Sequence, residues 1–139
     1  MFSGMSNHSV DAKGRIVLPA KFREELGESF YIARGFENFC IQVMSVAEFE
    51  AISAKIKALS ADKSFALQYV LTASAVEVTP NASGRIMLPQ ALREYAEITT
   101  DALVLGLNNR IEIWNRQRFD SFLESKKDII TEALSMLHL

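Results

Sequence analysis

This chain has little of what covalent chemistry needs. It holds one cysteine, Cys40, and two histidines, His8 and His138. A lone cysteine excludes an internal disulfide and fits a reducing cytosol. Its setting, Phe39-Cys40-Ile41, is that of a small core residue. Neither histidine has a partner at ligand spacing, so no zinc centre or activated nucleophile can be assembled. The six glycines form no phosphate-binding loop, since Gly14 and Gly84 are isolated. Paired acids such as Glu24-Glu25 fall in a helical stretch that faces solvent. These shortages argue against an enzyme, and no cofactor, metal or small-molecule substrate is expected.

Long apolar runs and a strong net charge are also missing. No run approaches the roughly 20 residues of a membrane helix, and Met1-Phe2-Ser3-Gly4 has neither the basic start nor the apolar core of a signal peptide. The expected location is the cytoplasm, with no membrane partner. The net charge of -2 means that any polyanion site is local.

What the sequence does contain is a repeat. Asp11-Ala12-Lys13-Gly14-Arg15-Ile16-Val17-Leu18-Pro19-Ala20-Lys21-Phe22-Arg23 returns 70 positions later as Asn81-Ala82-Ser83-Gly84-Arg85-Ile86-Met87-Leu88-Pro89-Gln90-Ala91-Leu92-Arg93. Agreement of that length at one offset marks an internal duplication. Half of a 139-residue chain is marginal alone, because a domain near 60 residues buries only about 60% of its unfolded surface. The two copies are therefore expected to share one core.

Local signals give each copy the order β-turn-β-α-β-β-α. Residues 6–10 read as a weak strand, and 11–14 as a turn with Asp as turn former and Gly supplying positive φ. Residues 16–18 read as a short β-branched strand, and Pro19 as the first residue of a helix that Gly27 ends. Residues 30–36 and 39–44 read as a hairpin. Ser45-Val46-Ala47-Glu48 is a capping box opening a helix whose stripe is Val46, Phe49, Ile52, Ile56 and Leu59. A further helix over about 64–72 precedes the second copy. There Val76 and Val78 alternate with Glu77, residues 81–84 turn, 85–88 extend, and 89–96 are helical. Residues 102–107 and 110–114 form a hairpin offset from the first by 71 rather than 70, one residue having slipped. Asn115 caps one long helix to about Leu137. Its apolar side holds Phe119, Phe122, Leu123, Ile130, Ala133, Leu134 and Leu137, a stripe that either covers its own chain or contacts another subunit. The result is an α+β protein of short strands.

Basic charge collects in the repeated motifs. Residues 1–23 carry Lys13, Arg15, Lys21 and Arg23 against Asp11, a local net of +3, and residues 80–93 carry Arg85 and Arg93, a net of +2. A turn presenting Lys13 and Arg15 beside a glycine can bring them close to a phosphate backbone. An arginine can fork onto guanine O6 and N7 in the major groove, whereas lysine more often neutralises phosphate. The plainer reading has Arg15 paired with Asp11, and Arg23 and Arg93 bracing the fold. Recurrence at matching positions favours the functional role for Arg15 and Arg85.

Asp-x-x-Gly-Arg, an apolar triplet, Pro and a basic helix, twice in tandem, resembles the DNA-binding signature of the MraZ family of bacterial transcriptional regulators, within the AbrB-like swapped-hairpin proteins. The resemblance spans both repeats, the linking helices, the segment Gly106-Leu107-Asn108-Asn109-Arg110-Ile111-Glu112-Ile113-Trp114 and the C-terminal helix. It implies a tandem-duplicated swapped-hairpin β-barrel with flanking helices, a pseudo-dimer within one chain. It implies a first AbrB-like repeat over residues 5–50, a helical connection over 51–74, a second repeat over 75–120 and a C-terminal helix over 121–139, all one compact unit. It further implies a ring-shaped homo-oligomer, associated with the nucleoid, that binds short repeated boxes of double-stranded DNA. Those boxes lie in the promoter of its own division and cell-wall gene cluster, where it acts as a repressor. Lys13, Gly14 and Arg15 fall on the DNA-contacting loop, with Asp11 shaping the turn; Gly84 and Arg85 carry the same role, with Asn81 shaping theirs. Lys21 is a further phosphate contact. Asn81 replaces the usual Asp, and Ser83 stands opposite Lys13, so the first loop is expected to dominate binding. A protein-interaction module on the same fold, as in antitoxin-like relatives, and a purely structural oligomer are the rival readings.

Overall fold

The computed structural model describes residues 1–139. The first copy forms β1 (Met5–Ser9), β2 (Arg15–Val17), α1 (Ala20–Leu26), β3 (Phe30–Arg34) and β4 (Ile41–Ser45). Helix α2 (Val46–Lys57), helix α3 (Ala61–Leu67) and a π-helical turn over Gln68–Thr72 link it to the second copy. That copy forms β5 (Val76–Val78), β6 (Arg85–Met87), α4 (Gln90–Ala96), β7 (Asp101–Leu107) and β8 (Arg110–Trp114), followed by α5 (Arg116–Ser125) and α6 (Lys127–Met136). Pro19 and Pro89 sit one residue outside their helices, in extended backbone that sets the chain's entry.

The copies exchange strands. β1 pairs with β7 and β5 with β3, giving one antiparallel sheet in the order β1-β7-β8-β4-β3-β5. β2 and β6 pair only with each other, as a two-stranded ribbon with Ile16 opposite Ile86. At the middle of the sheet Gln42 lies opposite Glu112. Both pairs join equivalent residues, so a pseudo-two-fold axis runs through the ribbon and the sheet. The expected barrel is not closed by hydrogen bonds: β1 and β5 are sheet edges. β5 has only three residues before Thr79-Pro80, and proline has no N–H for a ladder.

Strand register resolves the hairpin offset of 71 into two values. Phe30 lies opposite Val78 and Ala102 opposite His8. Val78 and His8 are 70 apart, so β3 and β7 are 72 apart. Ile32 pairs with Val43 and Val104 with Ile113, which returns β4 and β8 to 70. Two residues gained before β7 are thus lost in the second hairpin's tighter turn, where Asn108 adopts φ 66°. Asparagine tolerates that left-handed backbone.

One buried cluster draws on both copies, with Ile16, Leu18, Phe22 and Leu26 packed among Ile86, Leu88, Leu92 and Ala96. A smaller cluster of Ala33, Ile56 and Leu71, flanked by Phe49, Ile52 and Leu67, seats α2 and the π-helical turn against β3. Leu59 stays exposed beyond the end of α2. The capping box is half made. Ser45 Oγ accepts from the Glu48 amide at 3.1 Å, but the Glu48 carboxylate accepts from Asn109 Nδ2 at 3.0 Å. It ties α2 to the opposite copy's hairpin instead of reaching back.

The C-terminal helix is two helices, not one. Asn115 caps α5 as expected, its side-chain oxygen accepting from the Arg118 amide at 3.0 Å. Ser125 Oγ then donates to the Phe122 carbonyl at 2.6 Å, and the chain breaks at Lys126. A serine bonding back to the preceding turn competes with the helix ladder and bends it. Phe119 and Phe122 pack on Trp114, whereas α6 buries no residue and leaves Ile130, Leu134 and Leu137 exposed. The stripe of α6 therefore does not cover its own chain.

Ile86 is fully enclosed at the axis, so Ile86→Ala removes packing from both copies at once. The expected loss is about 2–5 kcal/mol of unfolding free energy by urea titration, in a single transition.

Candidate nucleic-acid interface

The two repeated turns share one backbone design. In the first, the Asp11 amide donates to the Arg15 carbonyl at 3.0 Å and the Gly14 amide to the Asp11 carbonyl at 2.9 Å. In the second, Asn81 and Gly84 make the equivalent bonds at 2.9 Å each. Asp11 Oδ1 accepts from the amides of Lys13 and Arg15 at 3.0 and 2.8 Å; Asn81 Oδ1 accepts from those of Ser83 and Arg85 at 3.0 and 2.9 Å. An amide oxygen replaces a carboxylate oxygen without altering the turn, because both bonds use only acceptor capacity.

Left-handed backbone calls for glycine at both tips, and a guanidinium lies close beneath each. Gly14 and Gly84 take φ 81° and 78°. A Cβ on Gly14 would lie 2.6 Å from Arg93 Nε, and one on Gly84 2.6 Å from Arg23 Nη1. Each arginine thus passes under the turn of the other copy. Each is held there by its own backbone, Arg23 Nε donating to Leu18 O at 3.1 Å and Arg93 Nε to Leu88 O at 2.9 Å. Arg23 and Arg93 brace the tips, as their helical setting suggests. The Leu88 amide also donates to Gly14 O at 2.9 Å, stitching the first turn to the second copy.

The ribbon sorts its side chains by alternation. Ile16 and Ile86 point into the core; Arg15, Val17, Arg85 and Met87 occupy the outer face. Arg15 and Arg85 are 34% and 42% exposed, so neither guanidinium is walled in. They converge on one acid: Asp11 Oδ2 is 2.8 Å from Arg15 Nε and 4.0 Å from Arg85 Nε. Arg85 also donates from Nη1 to Ser83 Oγ at 3.0 Å. The Asp11 carboxyl is held below its ordinary value of 3.8, first by the Arg15 amide, then by the Arg15 guanidinium and the Lys13 amide, against the opposing effect of burial.

Lys13 is exposed on the first turn. Lys21 is not among these groups. It follows the far end of β2, with its ammonium 5.5 Å from the Phe22 ring and close to Gly4. Val17 and Met87 share the outer face with the arginines, and two-residue alternation from Arg15 and Arg85 is the signal that points to them. A concavity of about 580 Å³ lies elsewhere, among Phe39, Glu97, Trp114, Arg118 and Phe122. No helix is long and apolar enough to cross a membrane. Burial, and then the Glu112 carboxylate, push the Cys40 thiol far above its ordinary value.

The model of the MraZ protein family, whose description adds a likeness to antitoxins, matches this chain twice, over residues 1–68 and 71–137. The chain belongs to the MraZ family. Its MraZ relatives include a protein of Thermoanaerobacter sp. (strain X514), 41% identical over 97% of this chain and 94% of its own length. One from Symbiobacterium thermophilum is 40% identical over 96% and 98%, and one from Acetivibrio thermocellus 39% identical over 99% of both. Each is named "Transcriptional regulator MraZ". The two MraZ matches fall one on each copy of the turn–ribbon–helix unit.

Two outcomes test this geometry. Gly84→Ala forces a side chain into left-handed backbone and onto Arg23, and is expected to cost about 1–3 kcal/mol in thermal or urea unfolding. The depressed carboxyl of Asp11 adds stability that is present above the ordinary carboxylate range and is lost as pH falls through the folded value. Carbon-detected NMR titration of the Asp11 carboxyl is expected to give a midpoint below 3.8, and the first turn to loosen as it protonates.

Proposed function

We propose that the chain is a transcriptional regulator that binds double-stranded DNA through the outer face of the β2–β6 ribbon. The observation that carries this reading is the pair of half-exposed guanidinia on one face of a two-stranded ribbon, beside Val17 and Met87. A two-stranded ribbon fits the major groove, where arginine forks onto guanine and apolar side chains meet the thymine methyl. Arg15 and Arg85 read bases, Lys13 neutralises phosphate, and Gly14 and Gly84 let the turns approach closely. Lys21, at the far end of β2, contributes at most a flanking phosphate contact. Arg23 and Arg93 add positive potential from below, so the tips are basic although the chain is acidic.

In this reading the exchanged strands are an AbrB-like swapped-hairpin core with an open sheet, and the protein is a cytoplasmic, nucleoid-associated repressor. Its targets are short direct repeats upstream of its own division and cell-wall gene cluster. One ribbon offers few phosphate contacts, too few for tight binding at physiological salt. A homo-oligomeric ring presenting several ribbons to spaced repeats raises affinity through effective concentration. The exposed apolar stripe of α6 supplies a subunit contact for it. The same stripe is the feature that favours the antitoxin-like alternative, a module for a protein partner; steep weakening of binding with added salt separates the two, because it marks DNA.

Arg15→Ala is expected to lower affinity for DNA from upstream of the gene by at least about tenfold in a gel shift, with the circular-dichroism melt unchanged. Unchanged affinity in a folded variant overturns the assignment.

A further inference from the structure

We infer that Asp11 is a positioning residue shared by both arginines, and that this single carboxylate sets how well the ribbon distinguishes its own DNA sequence from any other. The inference rests on the DNA-binding reading above and adds to it a role beyond shaping the turn.

The second copy supplies the control within one molecule. Asn81 makes the same two amide bonds as Asp11, so the turn needs an acceptor and not a charge. The negative charge of Asp11 must therefore be explained by something else. What it meets is Arg15 Nε at 2.8 Å and, from across the ribbon, Arg85 Nε at 4.0 Å. Asn81 attracts neither guanidinium, and Arg85 falls back on the neutral Ser83 Oγ. One acid thus serves two cations, and the pseudo-two-fold symmetry is broken at the tips.

Two effects follow. Holding Arg15 through Nε leaves both its terminal nitrogens to face bases, while Arg85, with Nη1 on Ser83 Oγ, keeps Nη2 for that purpose. The shared carboxylate limits the orientations open to both side chains, so less freedom is lost on binding. The carboxylate also repels phosphate, which weakens binding to backbone alone, while a correct base contact compensates for it. Asp11 lowers affinity for all DNA and improves the ratio between right and wrong sequences.

The test compares Asp11→Asn, Asn81→Asp and the exchange variant carrying both. Each is measured on the fragment upstream of the gene and on a scrambled duplex of equal length, across a salt series. Asp11→Asn keeps the turn, by the precedent of Asn81. It is expected to bind the scrambled duplex about threefold to tenfold more tightly at low salt, with a smaller gain on the specific fragment, so that discrimination falls. The exchange variant moves the carboxylate to the equivalent place and is expected to restore discrimination. A second readout needs no DNA: the NMR resonances of both Arg15 and Arg85 Nε–H shift in Asp11→Asn. A folded Asp11→Asn with unchanged discrimination, or an Arg85 Nε–H signal that ignores the substitution, overturns the shared role. If Arg15→Ala still lowers affinity in that case, the DNA-binding reading stands without it. If the wild type does not distinguish the two duplexes, the proposed function and this role both fail.

Discussion

The tips depend on a reciprocal contact in which an arginine from one copy runs beneath a glycine of the other. Arg93 supports the turn at Gly14, and Arg23 the turn at Gly84. The contact sets a glycine in left-handed backbone above a long planar cation, and each one spans the two copies. It links the position of each tip to the opposite helix, and through Leu18 and Leu88 to the shared core. Rigidity at the surface is thereby inherited from burial at the centre. A guanidinium is well suited to such a place, since its Nε satisfies a backbone carbonyl while its charge stays close to solvent.

Electrostatics at the ribbon follow from that support. Lys13, Arg15, Arg23, Arg85 and Arg93 gather about a three-residue ribbon, and Asp11 is the acid that engages the two outermost arginines. A chain of net charge -2 thus carries a concentrated cationic feature on one small part of its surface. Holding the arginines is as much a part of this surface as displaying them.

Much of the local structure was legible because its causes are local. Turn residues, the cap of Asn115, the end of α1 at Gly27 and the shared core all follow from short-range spacing and size. What was not legible depends on distant partners. Nothing near Gly14 announces Arg93, and nothing near Glu48 announces Asn109. The 71-residue hairpin offset concealed a gain and a loss of two residues, which only register separates. The break at Lys126 falls beside a serine hydroxyl that bonds back to the preceding turn, in a stretch whose apolar spacing continues on both sides. At the candidate interface the arginines stood out by repetition. Val17 and Met87 did not, since an apolar residue in a strand is read as core until the inner and outer faces are known. Lys21 is close to the tips in sequence, yet β2 carries the chain away from them.

At the centre of the sheet Gln42 faces Glu112. The carboxylate accepts from Trp114 Nε1 at 2.9 Å and Arg110 Nε at 3.1 Å, while Gln42 donates to Arg34 O at 2.6 Å. Two separate chains meeting at such a place would have to present the same residue twice, and a pair of acids there would repel each other out of reach of water. Joining the halves into a single polypeptide lifts that obligation. Each seat on the dyad can then evolve by itself, so a molecule assembled from twins is free to acquire a front and a back.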